Sequence, residues 1–364
     1  MNSLFKLAIV MLLTTPFVTM ATEQQSQLLV SMPDNFNSPA SADIDSLGNV
    51  YFSSPNFHNS SLIKAGHISA PKMATIGKLG TDNQLSHWYR FSEADLHPVT
   101  KQIAPMGINF GPDGNLYVAD MQMWFEGGMY QSRILRINLQ DGAAVNTEVV
   151  ATGFLFPNAV VWKGNDLFIS DTVLKTEQGQ HLSGVYKVSL DELDAKNPLE
   201  ITPYKDNRNH DPHLFETFVS SAKLGFGANG LAFDGEGNLY TAIMEEGTVV
   251  KTLIDENGNK IKTVPFASGM KATDGMYYDA GTNKIYIADL FNNAVYAINM
   301  QGELELLAQN SDSDGANGEL DGPSEVIVRG DQVIVMNFDA VFDSPEMVNK
   351  SAGRPHTLSV IKLK

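Results

Sequence analysis

Asn158, Asn229 and Asp274 each head a short apolar run, "NAVVW", "NGLAF" and "DGMYYD". Asn and Asp are poor strand formers, so an amide or carboxylate at the start of an apolar strand needs a reason. All three offer a side-chain oxygen, and oxygens held on rigid strands suit a hard cation such as Ca2+. The plainer explanation is a local side-chain to backbone hydrogen bond, which Asn and Asp often make at such places. That explanation serves for one residue. It serves less well for three at equivalent positions.

The equivalence comes from a repeat. Six stretches share one pattern: "ASADIDSLGNVYFSS" (40–54), "MGINFGPDGNLYVAD" (106–120), "NAVVWKGNDLFISD" (158–171), "NGLAFDGEGNLYTAI" (229–243), "DGMYYDAGTNKIYIAD" (274–289) and "SEVIVRGDQVIVMNF" (324–338). Each is an apolar strand, a tight turn of Gly, Asp and Asn, and a second apolar strand. A third alternating strand follows, as in "RILRINL", "GVYKVSL", "TVVKTLI" and "AVYAINM". Most units add a fourth: "TEVVAT", "LEITPY", "KTVPFA" or "LELLAQ". Units of about 45–70 residues with four antiparallel strands describe an all-β, six-bladed β-propeller. The last unit ends at Lys364 without a fourth strand, while "QLLVSM" (27–32) has no unit of its own. This N-terminal strand is expected to complete the last blade, which closes the ring and removes an open edge.

Aligned on their turns, the units place Ala40, Met106, Asn158, Asn229, Asp274 and Ser324 at one level of the innermost strands, around the central channel. Turns between first and second strands are short. The long connections, such as "DMQMWFEGGMYQSR", "DTVLKTEQGQHLSG", "KDNRNHDPHLFETFVSSAKLGFGA", "QNSDSDGANGELDGP" and "NFDAVFDSPEMVNKSAGRPHT", fall on the opposite face. Long loops on a rigid scaffold are the usual place for binding and catalysis, and the six positions open onto that face.

"PNAVVW", "ANGLAF" and "TDGMYYD" resemble the first-strand starts of the gluconolactonase and senescence-marker-protein family of six-bladed propellers, and "GNLYVAD" is shared with propellers of the NHL type. The resemblance covers nearly the whole chain after residue 21. It implies a divalent cation, typically Ca2+, at the channel mouth, held by a Glu, one or two Asn and an Asp. Asn158, Asn229 and Asp274 match the two Asn and the Asp, and the resemblance also makes Asp274 a candidate general base. The family's Glu belongs to blade 1, where this chain has Ala40 within "NSPASADID". The nearest acidic residues are Asp43, three residues deeper, and Glu325. Strand alternation points Glu325 away from the channel, unless a one-residue bulge turns it inward.

Other candidates are weaker. His210 and His213 in "HDPH" titrate near neutrality and sit in a loop expected on the site face, so His213 is a candidate base. "DMQMWFEGGMY" (120–130) suits either an apolar pocket wall or a satellite core. "DSDGANGELD" (312–321) carries Asp312, Asp314, Glu319 and Asp321 and resembles a Ca2+ surface loop, but without the EF-hand spacing it reads first as a solvated turn. Asp120, Asp171 and Asp289 recur at one strand end, which points to a repeated structural hydrogen bond. The sequence holds no G-x-S-x-G and no nucleotide-binding glycine motif set between a strand and a helix.

The bulk composition narrows the setting. Lys6, an apolar run over residues 7–18, and Thr19 and Ala21 at the −3 and −1 positions read as a signal peptide over 1–21, with the propeller over 22–364. The run is shorter than the ~20 residues that span a bilayer, no Cys follows it to carry a lipid, and no later stretch is apolar enough to span. Without Lys6 the chain has 24 basic against 42 acidic residues, which excludes a nucleic-acid partner on charge grounds. The chain has no Cys, which rules out disulfides and thiolate sites and suits an oxidising periplasm. The leading expectation is an exported, Ca2+-dependent hydrolase of lactonase or esterase type, acting on a small molecule at the channel mouth. The alternative is a non-catalytic NHL-like propeller that binds a ligand or protein on its long-loop face. A redox propeller of the sugar-dehydrogenase sort ranks third, for want of a cofactor-fixing motif.

Overall fold

The computed structural model describes residues 25–177 and 179–363; the signal-peptide reading of residues 1–21 lies outside them. Six antiparallel sheets form the molecule, and the first strands of neighbouring sheets touch in one unbroken cycle from blade 1 to blade 6 and back. Blade 4 shows the plan: Ala228–Phe233, Leu239–Ile243, Thr248–Ile254 and Lys260–Ser268 run from the channel outward. The chain is a six-bladed propeller, as the repeat implies. Among the described residues the one α-helix is the six-residue Asn59–Lys64, and no helix is long and apolar enough to cross a membrane.

The repeated "D…GNxY" has a physical basis. In blade 4 the Asp234 carboxylate accepts from the Asn238 backbone at 2.8 Å, the Asn238 amide at 3.0 Å and the Tyr240 hydroxyl at 3.0 Å. Asp45 with Asn49 and Tyr51, and Asp113 with Asn115 and Tyr117, repeat the arrangement. The tyrosine ring is buried between sheets while its hydroxyl reaches the turn. Gly48, Gly114 and Gly237 supply the left-handed turn residue, with φ between 80° and 87°.

Closure also follows the sequence reading. Gln27–Met32 is the outer strand of blade 6, paired with His356–Lys362 from Gln27 opposite Val360 to Met32 opposite His356. Two strand assignments differ. "LEITPY" is not the fourth strand of blade 3: Leu199–Glu200 lies parallel against Ala151 and Thr152 on the edge of blade 2, with Ile201 buried there. The fourth strand of blade 3 is Leu214–Ser220, within the stretch read as loop. Both segments alternate in polarity, and local pattern does not say which edge a strand joins. The stretch "DTVLKTEQGQHLSG" is likewise no loop, since Asp166–Glu177 and Gln180–Ser189 continue through it as a long hairpin.

Candidate functional site

Regular pairing breaks where each first strand begins. In blades 2 to 6 the register between first and second strands slips by one residue, for example between Ala228 and Leu231, Thr273 and Met276, and Pro323 and Glu325. The first strand there carries one extra residue, a β-bulge, which re-aims its side chains. Met106, Asn158, Asn229, Asp274 and Ser324 at these bulges, together with Ala40 of blade 1, all line a single cavity on the long-loop face. Their successors Ser41, Ala159 and Glu325 line a second chamber beneath it, together with Asp43 and Asn109. The strands are tight against one another at this level. A Cβ on Gly230 would fall 2.3 Å from the Asp274 carbonyl oxygen, and one on Gly275 2.3 Å from Glu325 Oε1. Glycine is what lets adjacent blades converge here.

Glu325 therefore faces the channel, against the simple alternation rule and by way of the bulge. Ser41 Oγ donates to its Oε2 at 3.1 Å and the Val326 N–H to its Oε1 at 3.0 Å. Asp43 accepts from the Asn109 amide at 3.0 Å and from the Phe110 and Ile44 N–H groups at 2.8 Å. Asn229 is 4% exposed; its amide also reaches Met244 Sδ at 3.4 Å, a weak acceptor.

Three carboxylates thus share the channel. Burial pushes Asp274 up to about 7, against a hydrogen bond from the Asn229 side chain and the Gly275 N–H. Burial raises Glu325 well above the usual range, and the charges of Asp274 and Asp43 add to it. Asp43 rises to about 6, again chiefly by burial. Among the described residues no lysine or arginine forms an ion pair with any of the three. Buried acidic groups without a counter-charge are stable as neutral acids or beside a cation. The donor set at the upper level, two amides and a carboxylate, fits a hard cation.

The walls above this floor are apolar. Trp124, Phe156, Phe226 and Phe342 form a chain of edge-to-face ring contacts, with centroids 5.2, 5.9 and 5.5 Å apart, and Phe338 and Met244 contribute to the lining. Free volume for water-sized occupants is about 40 Å³, and about 450 Å³ with the open space at the mouth. The smaller figure holds an ion and a few waters. The loop "DMQMWFEGGMY" serves both of the roles it suggested: Trp124 walls the cavity, while Met121 is buried in the core.

His213 is not near this site. It precedes the outer strand of blade 3 at the short-turn end, where its Nδ1 meets Asp211 at 2.7 Å and its Nε2 meets Glu192 at 2.9 Å, in a shallow surface pocket with Asp166 and Lys187. The loop expected before blade 4 contains that outer strand, so "HDPH" falls on the opposite face. His210 lies beside it, with its ring toward Tyr204. The recurring strand-end aspartates are structural. Asp171 accepts from Leu155 and Phe156 N–H, Asp289 from Lys271 and Ala272, and Asp120 from Ala104 and the Arg133 guanidinium. In the acidic loop, Asp321 turns inward to accept from Asn349 at 2.6 Å, while Asp312 and Asp314 stay exposed. Of the aromatic wall, Phe156 and Phe226 were missed from sequence. Their signal was a Phe two or three residues ahead of the ring position, in "FPN" and "FGAN".

No protein-family model matches the chain, and no curated protein sequence does. Solved structures do. A gluconolactonase-family structural-genomics target aligns over 94% of this chain and 95% of its own, at 14% identity and a TM-score of 0.53. A luciferin-regenerating enzyme covers 94% and 97%, at 12% identity and 0.56. A PQQ-bound aldose sugar dehydrogenase from Streptomyces coelicolor covers 94% and 99%, at 13% identity and 0.54. Identities this low establish shared architecture and leave chemistry to the site. Over 94% of its length the chain carries the six-bladed propeller fold that these gluconolactonase-like and luciferin-regenerating proteins share.

Proposed function

We propose that this protein is a cation-dependent hydrolase of the lactonase or esterase type, working at the upper chamber of the channel. The observation that carries the reading is the meeting of Asn158, Asn229 and Asp274, from three consecutive blades, on one cavity floor where a buried carboxylate lacks a counter-charge. These three residues would hold the ion, Ca2+ by the hardness of its oxygen donors. Bound there, it supplies positive charge beside a substrate carbonyl and the oxyanion that forms from it. Asp274, its carboxylate kept ionised by the cation, would take a proton from the attacking water. Asn229 holds the Asp274 carboxylate in place. The aromatic wall excludes water and selects the substrate's body, which favours lactones or esters with an apolar or aromatic group over bare sugar lactones.

The resemblance to gluconolactonase-like propellers supports the reaction class, and export to a periplasm belongs to the same reading. The deciding experiment is a screen of alkyl and aryl lactones and esters, with Ca2+ and with chelator. Turnover that needs Ca2+ and falls at least ~100-fold in Asp274→Asn supports the reading, in the range expected for a lost charge-stabilising or base group. Turnover indifferent to both would refute it.

A second reading has one observation in its favour. Blade 1 contributes Ala40, where the family resemblance calls for a Glu, so a ligand-binding propeller without catalysis is the alternative. Ligands that bind the chamber, quench Trp124 fluorescence and are never hydrolysed would favour it.

A further inference from the structure

Where blade 6 meets blade 1, a second cluster lies outside the channel. His58 follows the second strand of blade 1, Asp339 follows the second strand of blade 6, and His356 opens that blade's third strand. One ligand atom from each lies within 4.8 Å of the other two. Asp339 is 3% exposed and His356 2%. At such depth polar atoms ordinarily have partners. Among the described residues seven buried side-chain N or O atoms have none, and four of them belong to this cluster: His58 Nδ1, Asp339 Oδ1 and both ring nitrogens of His356. Asp339 is already oriented, since its other oxygen accepts from the Gly353 N–H at 2.7 Å. The two imidazoles lie 5.3 Å apart, centroid to centroid.

We propose that His58, Asp339 and His356 bind a first-row divalent ion of the Zn2+ type, at a site distinct from the oxygen site of the channel mouth. Two imidazoles and a carboxylate are the ligands such ions prefer, and nitrogen donors select against Ca2+ and Mg2+. Three protein ligands leave a position for water. The place in the fold gives the ion a positioning role. It ties the blade 1 loop to blade 6 at the closure, and the neighbouring Phe57 and Phe338 rings meet 6.0 Å apart, with Phe338 forming part of the channel wall.

Co2+ is the probe. Metal-stripped protein is expected to take up one equivalent of Co2+ with visible d–d absorption, lost on adding Zn2+ and unaffected by excess Ca2+. His58→Gln and His356→Asn should abolish the bands, while Asp274→Asn keeps them. Zn2+ should raise the melting temperature of the wild type and not that of His58→Gln. Should His356→Asn fail to fold, His58→Gln decides alone, since His58 is on a partly exposed loop. No bands in the wild type would overturn the proposal and leave the three side chains as a water-bridged or directly hydrogen-bonded group. Bands that survive loss of His58 would overturn it as well.

Discussion

Asp43 offers a test of the channel's electrostatics at the scale of one residue. Its carboxyl is moved from 3.8 in the unfolded chain to about 6 in the fold. Between those values the native state keeps a proton that the unfolded chain has released, so its contribution to stability is present below pH 3.8 and is lost as pH rises to about 6. At 1.36 kcal/mol for each tenfold change, the loss is about 3 kcal/mol. Urea midpoints of metal-free protein from pH 4 to 7 are expected to fall, and Asp43→Asn should flatten that fall by its share. An unchanged slope in the variant would assign the pH dependence elsewhere. The residue scale is also where the sequence was least complete. Asn158, Asn229 and Asp274 were legible because they interrupt apolar strand starts at aligned places. Glu325 was legible only as a condition, because alternation assigns it outward and a bulge is needed to reverse that. His213 misled because a histidine in a long loop carries no sign of which face the loop visits.

Short strands fixed at both ends set the geometry at the scale of elements. The strand-end aspartates clamp the segment that leads into the first strand of the same blade. Asp171→Ala would leave the buried Leu155 and Phe156 N–H groups unpaired, at a cost of about 2–4 kcal/mol. It should also loosen Asn158, three residues on, and weaken cation binding along with stability. Denaturant titration and calorimetry on the same variant read both effects. Gly230→Ala puts a methyl against the Asp274 carbonyl and should cost about 1–3 kcal/mol by overpacking. Strand identity was readable from turns and alternation, and the repeated Asp–Asn–Tyr turn marked blades 1, 2 and 4. Which edge the strand after blade 3 would join was not, because edge choice is a tertiary matter that local pattern does not encode.

For the whole molecule, the ring depends on a strand from the chain's beginning pairing with one near its end. Removing residues 25–32 would expose the edge of His356–Lys362 and take the buried Met32 out of the cluster that also buries Phe36. Such a truncation should lower the melting temperature sharply and promote association through the free edge. A thermal melt and light scattering would show it, and an undisturbed melt would contradict the closure. This closure was legible from a missing strand at one end and a spare strand at the other. The His58, Asp339 and His356 cluster was not, because its members come from distant parts of the chain and meet only when the ring closes. The central claim, that the channel mouth is built to hold a hard cation, is tested most directly by calorimetric titration of Ca2+ into the metal-stripped protein and its Asp274→Asn variant. One ion bound by the wild type and lost by the variant is the expected result. A wild type that takes up no Ca2+, or a variant that binds it equally well, would contradict the account.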